Sequence, residues 1–134
     1  MDFVHINWLA VIVAGLSAFL VGGIWYSRPL FGNAWMTDSN LTEDQIKTGN
    51  KGKIFGFTFV FSLVMAANLA LFLSGSQTDL HRGIAIGFHT GLFAFCAIAI
   101  HSLFELKCWR YIFINGLYSV VSLTIMGAII GYWR

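Results

Sequence analysis

In the stretch Cys96 to Arg110, CAIAIHSLFELKCWR, His101 and Glu105 stand one helical turn apart at the end of a run that is otherwise apolar. Residues four apart share one helix face. Such a pair could relay protons, or supply half of a metal site, at the mouth of a polar path. The structural reading is simpler and is the favoured one. A glutamate at the C-terminal end of a helix meets the negative end of the helix dipole, so a cation is expected beside it. Arg110 or Arg28 is the expected partner of Glu105, and the pair would lock a loop.

Other chemistry is sparse. His89 and His101 are twelve residues apart, roughly 120° around a helix, so one helix cannot turn both toward one cofactor. No HxxxH or HxxE spacing joins His5, His81 and His89 into a metal motif. Nucleophile elbows, Cys–His pairs, paired intramembrane carboxylates and phosphate loops are all missing from the sequence, which points away from an enzyme. No cofactor and no metal is expected.

The elements that carry these residues follow from composition. Of 134 residues, 57% are hydrophobic and 10% charged, against roughly 25% charged in a soluble domain. Charge-free runs cover Phe3 to Ser27, Ile54 to Thr78, Gly83 to Phe104 and Tyr111 to Trp133. Each reaches the roughly 20 residues that cross a bilayer as a helix, and runs without strand-type alternation satisfy their backbone only as helices. The expected architecture is all-α: one integral membrane bundle of four transmembrane helices, at about 4–26, 53–75, 80–105 and 109–133. The first run is expected to stay as a helix, since Asp2 replaces the positive start of a signal peptide and the apolar stretch outruns the usual 7–15 or so residues. Cys96 and Cys108 are about 18 Å apart along a helix axis and cannot bond each other.

Six of the eight Lys and Arg residues fall on one side: Arg28, Lys47, Lys51, Lys53, Lys107 and Arg110. The positive-inside rule makes that side cytoplasmic, in a cell membrane, with both termini outside. A net charge of +2 is too small to imply nucleic acid. In the long cytoplasmic loop, Thr42 and Gln45 form a capping box beside the staple residues Leu41 and Ile46, predicting a short surface helix over Glu43 to Thr48. Upstream, WYSRPLFGNAWM has the aromatic, proline and glycine content of chain lying among lipid headgroups, the reading favoured over a re-entrant functional loop.

The segments at the two ends, NWLAVIVAGLSAFLVGGIWYSRPLFGNAWM and LFELKCWRYIFINGLYSVVSLTIMGAIIGYW, resemble small bacterial membrane proteins grouped as domain-of-unknown-function family 1761. The pattern falls on Asn7 and Trp8, Trp25 through Trp35, Leu103 to Glu105, Ile114 and Asn115, and Met126 and Gly127. The chain departs from it at His101, where the family carries Asn, and at Lys107 and Cys108, where it carries Arg-Pro. The resemblance implies four helices and supplies no activity.

Polar groups inside a bilayer mark helix contacts or functional paths. Asn115, Tyr118, Ser119 and Ser122 make one stripe on the fourth helix and are expected to face protein. If the last hairpin pivots near Cys108, Asn115 is level with His101, predicting a hydrogen bond between them. If the preceding hairpin pivots near Thr78, Asn68 is level with His89, predicting a second pair. Helix glue is the favoured reading of both, over a functional path. Gly83, Gly87 and Gly91, then Ala14, Ala18 and Gly22, then Gly127 and Gly131, are rows that let backbones approach closely; one of them could serve a neighbouring copy.

Two classes of function lead, and a third, a membrane-embedded redox protein, would be removed by a purified sample without visible absorbance. The leading one is a homo-oligomeric channel or transporter for a small ion or solute, its path built from Asn68, His89, His101, Asn115, Tyr118 and Ser122 with Glu105 at the mouth. The alternative is a non-transporting scaffold or accessory subunit. They differ in whether the polar stripe lines a hydrated cavity or is bonded within the bundle.

Overall fold

The computed structural model describes residues 5–133, all of whose regular structure is helical. Four long helices run α1 (Trp8–Trp25), α4 (Lys51–Phe72), α5 (Leu80–Phe104) and α6 (Trp109–Tyr132), with two short ones, α2 (Gly32–Asp38) and α3 (Glu43–Thr48), between the first and second. The expected start of the first span near residue 4, and the charges of Asp2 and Arg134, lie outside the described residues.

Side chains fix most of the helix starts. Asn7 accepts from the Ala10 amide at 3.3 Å, Asn50 from that of Lys53 at 3.0 Å and Asp79 from that of Arg82 at 2.8 Å, each supplying a partner that the first helical turn lacks. At α3 the capping box is complete in both directions: Thr42 accepts from the Gln45 amide and the Gln45 side chain accepts from the Thr42 amide. α5 ends at Phe104, and two residues further on the Leu106 backbone turns left-handed at φ 59°.

All four long helices are apolar enough to cross a membrane, and α6 stands at the centre of them. Forty-four per cent of its most apolar window is buried, against 17% for α5. α6 packs against α5 on one side and α1 on the other; α4 packs mainly on α1 and touches α6 lightly. Ala14 and Ala18 of α1, Ala66 and Ala70 of α4, and Leu123 and Met126 of α6 form a core in which small residues from two helices leave room for the larger ones of the third. α4 and α5, neighbours in sequence, barely meet.

The segment that reads as headgroup-zone chain does more than lie in the interface. Its second half winds into α2 and docks on α6. Gly32 starts that helix in a turn so tight that a methyl group there would sit 2.5 Å from the Tyr26 carbonyl oxygen.

Candidate functional site

The α5–α6 seam is made of backbone. Gly83 and Gly87 lie against Gly127, Gly131 and the Leu123 and Thr124 backbone, and a methyl group on Gly91 would come within 2.7 Å of Val120 Cα. Gly116 answers from the other helix, receiving the Phe95 ring. The five glycines singled out on α5 and α6 are therefore buried in one intramolecular seam. On α1, Gly22 makes room for the Tyr118 ring and hydroxyl, 3.2 Å from where a methyl group would sit. Each of the three rows packs within the bundle, so none remains to argue for a second copy.

This seam sets a register different from the expected one. Gly91 faces Val120 and Phe95 faces Gly116, so Asn115 is level with Phe95 and Cys96, about 8 Å up the helix from His101. The hairpin pivots near Glu105 and Leu106, where the left-handed turn falls, and not at Cys108. The expected His101–Asn115 hydrogen bond is absent: His101 is exposed, and Asn115 accepts from the Tyr26 hydroxyl at 2.6 Å. The Asn68–His89 pair fails for a different reason, because α4 and α5 do not pack together. Asn68 donates to the Val64 carbonyl of its own helix, and His89 faces outward from α5.

Glu105 is also corrected. Both cations expected beside it are engaged elsewhere. Arg28 pairs with Glu43, and Arg110 grips Asp38 through two nitrogens at 2.7 and 2.6 Å. Glu105 itself is exposed, with no ion pair among the described residues.

What α6 does with its polar stripe is to hold α1 and α2. Besides the Tyr26–Asn115 bond, the Tyr118 hydroxyl donates to the Ala18 carbonyl at 2.9 Å, and the Trp25 indole donates to the Ile114 carbonyl at 2.8 Å. Tyr26 is edge-on to both Trp35 and Tyr118, at ring separations of 5.3 and 5.5 Å. The Asp38 carboxylate, 8% exposed, is held below the usual carboxylate range chiefly by its hydrogen bonds from Arg110. At the far end of the bundle the Asn7 amide donates to the Trp133 carbonyl at 3.1 Å, joining the start of α1 to the end of α6. Ser119 is half-buried, and Ser122 is buried with no hydrogen-bond partner for its hydroxyl among the described residues.

Reading the sequence by depth missed Trp25, Tyr26, Trp35, Asp38 and Arg110 as a set. A signal was there: the aromatic residues recur through Trp25 to Trp35, and Asn115 lies on the one helix with a polar stripe. Headgroup-zone composition offered a sufficient account of the first, and the second had a nearer candidate partner in His101.

Among the described residues no cluster of three or more His, Cys, Asp or Glu could hold a metal ion. The stripe residues Asn115, Tyr118, Ser119 and Ser122 line neither the cleft of about 200 Å³ beside Tyr26 nor the small cavity of about 20 Å³ beneath Asn7 and Trp133.

Four membrane-length helices tied by backbone seams and aromatic hydrogen bonds define a small multi-pass membrane protein. A family model described as "Protein of unknown function (DUF1761)" matches residues 9–131, and the chain belongs to that family. No curated protein and no solved structure matches it.

Proposed function

We propose that the protein is a non-conducting, non-enzymatic membrane subunit that works by association, presenting the outer face of α5 to a second copy of itself. The observation that carries this is the position of His89. It lies about 14 Å along α5 from Leu80, on the side of the helix opposite the glycine seam, exposed and with no hydrogen bond among the described residues. An ionisable group facing lipid at that depth is costly, so such groups face protein or a water-filled cavity. Ala85, His89, Leu92 and Cys96 share this face at alternating spacings of four and three, the seam of a helix pair. Copies inserted the same way meet with like residues at equal depth. Imidazole carries a donor and an acceptor nitrogen, so two His89 side chains can share one N–H···N bond across the interface.

Against conduction through one copy, the Asn115 amide oxygen accepts from Tyr26 and the Tyr118 hydroxyl donates to the Ala18 carbonyl of α1. Positive charge on the loop side supports a cell-membrane topology with both termini outside. The channel or transporter reading survives in one form, which the outward positions of Asn68, His89 and His101 favour: a path for a small ion or solute formed between copies.

Flux measured in liposomes containing the purified protein separates the two. No ion or proton flux above empty liposomes is expected, together with an oxidative dimer through Cys96 in the Cys108→Ser protein. Flux that falls in Glu105→Gln or His101→Ala overturns the non-conducting reading. Failure of Cys96 to cross-link in membranes removes the α5 interface.

A further inference from the structure

A second site sits where α1 leaves the membrane. There the chain between Tyr26 and Lys47 folds back over itself and encloses the cleft of about 200 Å³. One part of its lining is apolar, from Trp35, Met36 and Ile46; the other carries Arg28 and Lys47, with Glu43 between. We propose that this cleft binds the phosphate-bearing headgroup of an anionic phospholipid.

The walls are held in place before any ligand arrives. Tyr26 is pinned through its hydroxyl to Asn115, and Trp35 rests edge-on against the Tyr26 ring. Gly32 sets the tight turn at the cleft, and any side chain in its place would run into the Tyr26 and Ser27 carbonyls. Glu43 brings α3 over the opening by its ion pair with Arg28. That pair uses one terminal nitrogen of the guanidinium. The remaining N–H donors form a fork suited to phosphate oxygens.

Charge at the mouth is net positive. Lys47 has no ion pair among the described residues, and neither do Lys51 and Lys53, which follow at the start of α4. Lysines clustered at the cytoplasmic end of a membrane helix attract anionic lipid. The chemistry of the lining distinguishes a lipid from a free anion: Met36 and Ile46 beside two cations suit a molecule with a charged head and an apolar body. A soluble phosphate would use only the cationic part.

Native mass spectrometry of the full-length protein, purified in detergent and supplied with phosphatidylglycerol or phosphatidylcholine, tests this directly. One phosphatidylglycerol is expected to stay bound in preference to phosphatidylcholine. Retention should weaken about tenfold in Lys47→Gln and in Arg28→Gln, as befits loss of a charge-assisted contact, and should be unchanged in Arg82→Gln at the opposite end. Equal retention of the two lipids, or equal retention by wild type and Lys47→Gln, overturns the proposal. Glycerol phosphate competing as well as the lipid would show that the apolar wall contributes nothing, and would overturn the lipid assignment.

Discussion

α6 is gripped on its two sides by different physics. Toward α5, contact is glycine against backbone along Gly83, Gly87, Gly91, Gly127 and Gly131. Toward α1 and α2, it is made by large side chains reaching across: the Trp25 indole, the Tyr26 and Tyr118 hydroxyls, and the Asp38–Arg110 pair. In lipid no hydrophobic force pushes helices together, so close van der Waals approach and interhelical hydrogen bonds must do it. The glycine seam uses the first, and tolerates no added atom. The aromatic side uses the second, and each of its bonds is one of several.

The two sides should therefore break differently. The largest effect is expected at the seam: Gly87→Leu drives a side chain into the Leu123 and Thr124 backbone and should cost about 3 kcal/mol in denaturant unfolding in detergent micelles. Gly56→Leu, where nothing lies within 4 Å, should cause no loss and, through the higher helix propensity of Leu, a gain of up to about 1 kcal/mol. Equal losses in the two would show that the seam is not close-packed.

On the aromatic side, Tyr26→Phe removes one hydroxyl and leaves Asn115 without that donor. A loss of about 1 kcal/mol is expected in the same measurement, since interhelical hydrogen bonds in membranes average near 0.6. A loss as large as that of Gly87→Leu would mean that Tyr26 organises the whole end of the bundle.

The smallest effect is confined to α2 and depends on pH. Arg110 lowers the Asp38 carboxyl from its ordinary 3.8, so the pair stabilises the docked α2 above about pH 4 and is lost as pH falls through the lowered value. Hydrogen exchange of the α2 amides, taken relative to the intrinsic rate at each pH, should accelerate on acidification in wild type. In Asp38→Asn it should be faster at neutral pH and lose that acid dependence. Unaltered protection in the variant would show that α2 is held by its aromatic contacts alone.

Much of this was legible in the sequence. Four charge-free runs dictate four membrane helices, because each crossing must satisfy its own backbone hydrogen bonds. Thr42 and Gln45 set α3 by a local capping box, which needs no tertiary partner. Small-residue rows marked the surfaces of close approach, and the polar stripe of α6 was expected to face protein, as Asn115 and Tyr118 do through Tyr26 and Ala18.

Partner choice was not legible. Helices apolar on every side carry little hydropathic signal to say which face turns where, unlike the amphipathic helices of a soluble core. Depth alone paired Asn115 with His101 and Asn68 with His89. The folded chain instead set α4 against α1, slid α5 along α6 until glycine met backbone, and gave Asn115 to Tyr26 and Arg110 to Asp38. Those choices rest on non-local shape complementarity, decided only once the helices are side by side.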